Sequence, residues 1–249
     1  MNNLHCLRQI ASVVAVLLVF AFSSTGCNND NSLSSQSSMT EAEAAAIIAN
    51  GLGSSSSTYG LTGQIEELAG VANGGTLRKG TGEQQAALDT ITIIRSRTAV
   101  YSYNYRFHFS YGLVGSHFDF EYDMRGTYDT PRMSSDDTAH ASYQITNLQA
   151  DTLLVNGTYW RLGKQASKLA DQKEFNSEII ATLTNIGVSK TTKTVTGGTV
   201  TFTLIGKFSD GSVVSLTGTV TYLGNHKATI VVNGKKFDAN VDTGDVTAA

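Results

Sequence analysis

From Tyr101 to Tyr111 the chain reads Tyr-Ser-Tyr-Asn-Tyr-Arg-Phe-His-Phe-Ser-Tyr, with every odd position aromatic and every even one polar or charged. Successive side chains of a strand point to opposite faces, so a period of two predicts a strand with one aromatic face. The next run, His117 to Arg125, alternates with the opposite parity, its apolar members being Phe118, Phe120, Tyr122 and Met124. Between them Gly112-Leu113-Val114-Gly115 reads as a loop bounded by turn residues. One hairpin register sets Phe109 against Phe118, Phe107 against Phe120, Tyr105 against Tyr122 and Tyr103 against Met124. On the other face it sets His108 against Asp119 and Arg106 against Glu121, favourable cross-strand pairs of about 0.2–1 kcal/mol each. A slip by one residue would put rings against charges.

The same alternation recurs toward the C-terminus. Val200, Phe202, Leu204 and Phe208 alternate with Thr201, Thr203, Ile205 and Lys207, Asp210-Gly211 marks a turn, and Val214, Leu216, Val220 and Tyr222 alternate back. The expected register pairs apolar with apolar and Thr203 with Thr219. A turn at Gly224-Asn225 leads to Ile230-Val231-Val232, after which Asn233-Gly234 is a strong hairpin signal. Leu153-Leu154-Val155-Asn156-Gly157 parallels Ile230 to Gly234, and Gly126-Thr127-Tyr128 loosely parallels Gly206-Lys207-Phe208. This reads either as a duplicated meander or as independent recurrence of Asn-Gly hairpins. Residues Phe175 to Ile186 fit a helical face and a strand alike, and their Thr and Ile content favours the strand.

The expected fold is mainly β: an antiparallel meander of nine or ten strands forming a curved sheet, barrel or sandwich, preceded by a short helical segment. Ten of the 21 aromatic residues fall between Tyr101 and Tyr128. They read as a core, and alternatively as a ligand-facing apolar surface made by Tyr103, Tyr105, Phe107, Phe109, Phe118, Phe120 and Tyr122. The second faces, rich in Thr, Ser and charge, argue against a barrel that spans a membrane.

Ahead of the β region, residues 27–81 read as a tether with a short helix, and residues 82–249 as the β-rich domain. Ser-rich runs at 32–38 and 54–57 flank Thr40 and Glu43, whose spacing matches a capping box before Ala44-Ala45-Ala46-Ile47-Ile48. Residues 58–81 are Gly-rich without clear periodicity and read as loop. Residues 1–26 have the form of a secretory signal: a polar start with Arg8, an apolar stretch from Ile10 to Phe22, then small residues. The stretch is too short for a comfortable membrane span.

Ser24-Thr25-Gly26-Cys27 resembles the lipobox of bacterial lipoproteins, with Ser24 where that family usually has Leu. The resemblance implies cleavage before Cys27 and a triacylated cysteine, so the chain's membrane partner would be reached through lipid on Cys27. Cysteine usage agrees: Cys6 lies in the signal, leaving one thiol and no intramolecular disulfide in the mature chain. Asn28 stands where enterobacterial lipoproteins retained at the inner membrane carry Asp, which, in a host with two membranes, implies residence at the outer one. The stretch from Ile179 through Lys190-Thr191-Thr192 to Val232-Asn233-Gly234 is similar to uncharacterised β-rich lipoproteins of diderm bacteria. That likeness covers the final third and implies no activity.

Losing Arg8 leaves 17 basic and 21 acidic residues, a net charge of −4. With no basic cluster this argues against nucleic acid as partner. The six basic residues between Arg161 and Lys193 read as a solvated surface. Motifs for hydrolases, zinc proteases, phosphate loops and thiolate catalysis are missing from the sequence, and no cofactor or catalytic residue is assigned. His108, His117, Asp119, Glu121 and Asp123 would share one face of the aromatic hairpin, where imidazole and carboxylate can bind a metal or share a proton. They read more simply as a solvated face. Asp238 to Asp245 has alternating oxygen ligands, but its Gly244 and terminal Ala249 depart from a calcium loop, and it reads as a polar strand edge. The functional expectation is a cell-envelope lipoprotein, a non-enzymatic binding or structural module with a protein or glycan partner. The alternatives are a carrier of a lipid or other hydrophobic ligand, and a hydrolase or metal-dependent enzyme.

Overall fold

The structure, a computed structural model, describes residues 38–53, 60–73, 87–97, 102–114, 116–129, 133–168 and 174–249. At 67, 68, 70–73, 87–97, 102 and the odd positions of 103–113 it describes the backbone but not the side chains. The signal, Cys27 and the Ser-rich start of the tether lie outside the described residues, as do the side chains of Tyr103, Tyr105, Phe107 and Phe109.

Two helices precede the strands, α1 (Glu41–Leu52) and α2 (Leu61–Asn73). The strands are β1 (Ala87–Arg97), β2 (Ser102–Val114), β3 (His117–Asp129), β4 (Met133–Thr146), β5 (Thr152–Ser167) and β6 (Glu174–Ser189). They continue as β7 (Val195–Phe208), β8 (Val213–Gly224), β9 (Lys227–Val232), β10 (Lys235–Asn240) and β11 (Asp245–Ala248). Each strand pairs antiparallel with the next, giving one eleven-stranded meander in chain order that is not closed by pairing of β1 with β11. The expected mainly β meander preceded by helical structure is therefore what the chain forms, as a single sheet.

Alternation decides which face is inside. Phe118, Phe120, Tyr122, Met124 and Tyr128 of β3 are buried, while Asp119, Glu121 and Asp123 between them are exposed. The ambiguous stretch around Ile179 is strand β6, with Ile179, Ala181 and Leu183 inward. Registers differ from expectation by an even offset, which preserves the faces. Val114 pairs with His117, so Gly112 to Val114 extend β2 and the connection shrinks to two residues, the hairpin length whose twist matches that of the strands. Phe109 therefore faces Tyr122, Phe107 faces Met124, and His108 faces Asp123 in place of Asp119. Arg106 faces Arg125, not Glu121. At the β7–β8 turn the Asp210 carboxylate accepts the Ser212 N–H at 2.8 Å, and Phe208 bonds Ser212 at 2.9 Å. This centres the hairpin one residue earlier than expected and pairs Thr203 with Thr217.

The two Asn-Gly sites are not structural equivalents. Asn233-Gly234 is a two-residue turn between β9 and β10 with φ of 46° and 85°. Asn156-Gly157 lies inside β5 at a register shift against β6, with Gly157 at φ 152°. A Cβ there would stand 2.1 Å from the Ser142 carbonyl oxygen, so the glycine is needed where β4 presses on the bulge. The stretch is not a second copy of the hairpin.

The helices are part of the core. Thr40 and Glu43 form the expected capping box, the Glu43 N–H donating to Thr40 Oγ1 at 3.2 Å and the Thr40 N–H to Glu43 Oε2 at 2.8 Å. Ala44, Ala45, Ile47, Ile48 and Leu52 of α1 are buried, as are Leu61, Ile65 and Ala69 of α2, where a loop was expected. A run read as tether thus folds into the same core as the strands.

The position of α2 shows how the sheet is shaped. Residues two apart on a helix point about 200° away from each other. Thr62 Oγ1 meets the Tyr222 hydroxyl of β8 at 2.8 Å, while Gln64 Oε1 accepts from the Tyr143 hydroxyl of β4 at 3.0 Å. Four strand spacings, about 19 Å in a flat sheet, separate β4 from β8. Neighbouring residues of one helix reach both because the sheet curls around it. The helices fill the trough, and Ile48→Ala should lower stability by about 2–5 kcal/mol in urea denaturation; an unchanged midpoint would show that α1 is a detachable part of the tether.

Candidate functional site

The helix ends create the demand for buried polar chemistry. Near the C-terminus of α1 the Gly51 carbonyl lacks a helical donor, and two side chains from β5 supply one. The Tyr159 hydroxyl donates to it at 3.2 Å and Arg161 Nη1 at 3.3 Å. Arg161 Nη2 donates to Asp137 Oδ2 of β4 at 2.5 Å, and the two side chains are 3% and 0% exposed. Ser135 Oγ donates to Asp137 Oδ1 at 2.7 Å, and the Arg161 guanidinium lies 5.7 Å from the Tyr128 ring centre. A cation at a helix C-terminus is also favoured by the helix dipole.

Arg161 was read as part of a solvated basic segment and is instead one of the most buried charges described. Strand parity was the available signal. Counting back by twos from Tyr143 and Ile145 places Asp137 inward, and counting on from Tyr159 places Arg161 inward beside it. Gly163, two residues further, has no room for a side chain, since a Cβ would approach Asp137 Oδ1 to 2.5 Å. Burial raises the pKa of the Tyr128, Tyr143, Tyr159 and Tyr222 phenols, so they stay neutral and serve as hydrogen-bonding groups. With Asp137 fully enclosed, the cluster locks α1 to the sheet and reaches no substrate.

The imidazole and carboxylate face lies on the outside. His140 of β4 joins it, its Nδ1 2.9 Å from Asp123 Oδ1 and its Nε2 3.5 Å from Glu121 Oε2. His108 Nδ1 lies 3.8 Å from Asp123 Oδ2, and His117 Nε2 lies 3.5 Å from Asp119 Oδ1. These carboxylates are at least half exposed, and among the described residues no three such side chains converge as metal ligands. The arrangement is a ladder of solvated pairs holding β2, β3 and β4 in register. At Asp238–Asp245 the chain forms the end of β10, a turn and the start of β11, with Asn240 Oδ1 accepting the Asp242 and Thr243 N–H groups.

The described aromatics of the ligand-facing set, Phe118, Phe120 and Tyr122, are packed into the core, with Phe120 stacked on Tyr143 at 6.0 Å between ring centres. Between α1 and the ends of β5–β7, beside Met39, Met133, Phe175 and Phe208, a crevice of about 20 Å³ remains, room for one water. An open depression of about 590 Å³ at the same end is lined by charged residues such as Asp129, Asp136, Lys164, Glu174 and Lys207 together with Tyr128, Phe175 and Phe208, with no histidine. Among the described residues no helix is long and apolar enough to cross a membrane. No family model, curated protein or solved structure matches the chain.

At the opposite end of the trough, Glu66 of α2 accepts the Val195 N–H at 3.2 Å. Burial raises its carboxyl pKa, opposed by that N–H and by nearby His226, and helped by Asp242. The folded state then holds the Glu66 proton more tightly than the unfolded chain, so this group's contribution falls as pH rises from the ordinary carboxylate range through the raised value. Glu66→Gln should flatten the fall in urea midpoint as pH rises above the ordinary carboxylate range, and coincident profiles for variant and wild type would contradict the assignment. For the buried pair, Asp137→Asn or Arg161→Met alone should cost about 3–5 kcal/mol by the same measurement. His140→Ala should cost at most about 1 kcal/mol.

Proposed function

We propose that this chain is a lipid-anchored cell-envelope protein, held at an outer membrane through acyl groups on Cys27, whose domain is a non-enzymatic binding or structural module. The observation that supports the module reading is the filled trough. A ligand pocket has about 300–1,000 Å³ and is lined mainly by apolar side chains with a few convergent polar ones. Here the concave face is covered by the protein's own helices, and the crevice left beside α1 is that of a single water. The imidazole and carboxylate groups of β2–β4 sit on the solvated convex face, where nothing shields a reaction from water.

The anchor reading rests on the residues before Cys27 and on the absence of a second cysteine in the mature sequence. Cells fed radiolabelled palmitate should yield labelled wild-type protein and unlabelled Cys27→Ala. Lack of label in wild type, or label persisting in the variant, would overturn it. The module reading has its own check: lipid extraction of the purified protein should release no stoichiometric lipid beyond the acyl groups on Cys27. A bound lipid at one per chain would establish a carrier in its place.

A further inference from the structure

Of the five large apolar side chains left exposed among the described residues, three lie on one end of the convex face: Leu162 at 43%, Ile180 at 48% and Val213 at 62%. The pairings place them together. Trp160 faces Ile180, Leu162 faces Glu178, and Glu178 faces Ile205 across β5, β6 and β7. Trp160 and Ile205 are partly exposed, and the indole N–H donates to Glu178 Oε1 at 2.9 Å. The next row outward reads Asp136, Lys164, Asn176, Lys207 and Val213 from β4 to β8. Among the described side chains, Thr, Ser and charged residues occupy most of the rest of the convex face, so over β3–β8 this apolar group is local.

The chain enters the domain at the same end. Met39 packs against Gly206, beside Lys207, and Ser38 and Met39 border the crevice formed with Phe175 and Phe208. Eleven peptide steps separate Ser38 from Cys27, a reach of at most about 36–40 Å. A sheet with its side chains is about 10 Å thick, the spacing at which sheets stack. A bilayer holding the acyl groups on Cys27 is therefore within reach of the patch, and the tether raises its local concentration enough for a small surface to engage.

We propose that the patch formed by Trp160, Leu162, Ile180, Ile205 and Val213, edged by Lys164 and Lys207, seats the domain on the bilayer surface to which Cys27 is anchored. The inference rests on the lipid-anchor reading above. Seating is shallow, at the level of the headgroups, because Glu178 and Asn176 lie among the apolar side chains and stay hydrated there. An indole with its N–H already bonded suits this interfacial layer, and the two lysines suit anionic headgroups.

Trp160 is the sole tryptophan of the chain, so its fluorescence reports on the patch directly. The test uses the full lipidated protein reconstituted into vesicles of phosphatidylethanolamine and phosphatidylglycerol, with and without lipids brominated at shallow acyl positions. The expected result is a blue shift of Trp160 emission on reconstitution and quenching by the brominated lipids. Leu162→Asp combined with Ile180→Asp should lose both while still floating with the vesicles. Lys164→Glu combined with Lys207→Glu should reduce quenching in these vesicles and leave it unchanged in vesicles lacking phosphatidylglycerol. Leu223→Asp, exposed but outside the patch, should behave as wild type. Protein that floats with unquenched Trp160 overturns this inference and leaves the anchor standing. Protein that does not float overturns the anchor and the inference together. A blue shift that depends on protein concentration without vesicles assigns the patch to a second copy of the chain and overturns it as well.

Discussion

An antiparallel sheet with one continuous apolar face must cover that face, and in this chain the cover comes from α1 and α2, supplied by the segment just before the strands. From this follow the curl of the sheet, the burial of a short Ala-rich helix that would be marginal in isolation, and the polar contacts inside the trough. A helix end enclosed by a sheet cannot have its carbonyls hydrated. Arg161 and Tyr159 answer Gly51, Thr62 Oγ1 donates to the Leu52 carbonyl, and Gln64 is matched to Tyr143. Once Arg161 is inside, Asp137 must be there too, because an unpaired buried cation is far more costly than a paired one.

The concave and convex faces divide the chain's chemistry. Inward positions carry aliphatic and aromatic side chains, neutral phenols and the enclosed Arg161–Asp137 pair. Outward positions carry the histidines of β2–β4, their carboxylates, and the threonines of β6–β8. The convex surface varies along the sheet: charged pairs over β2–β4, an apolar group around Trp160 over β5–β7.

Much of the fold was legible because a strand's period of two is written directly into residue order. The runs at 117–125, 200–208 and 214–222 declare both their conformation and their buried face, and Thr40 with Glu43 declares a helix start. Registers were less legible. A shift by two keeps every side chain on its face, so alternation alone cannot separate one even offset from the next, and the choice fell to the two-residue length of the β2–β3 connection and to the turn at Asp210. The helix α2 was missed because its glycines, threonine and asparagine mask the apolar spacing of Leu61, Ile65 and Ala69, and its stability comes from the trough it fills.

The sequence by itself determined the mainly β meander, the inward and outward parities of its strands, and the capping box. These depend on neighbours a few positions apart. Only the tertiary structure decided that α1 and α2 lie within the sheet, that Arg161 and Asp137 meet at Gly51, that Asn156-Gly157 is a bulge where Asn233-Gly234 is a turn, and that Trp160, Leu162, Ile180 and Ile205 share one patch. Each of those brings together residues from separate strands or helices, and their meeting is set by the free energy of closing the trough, which no local pattern records.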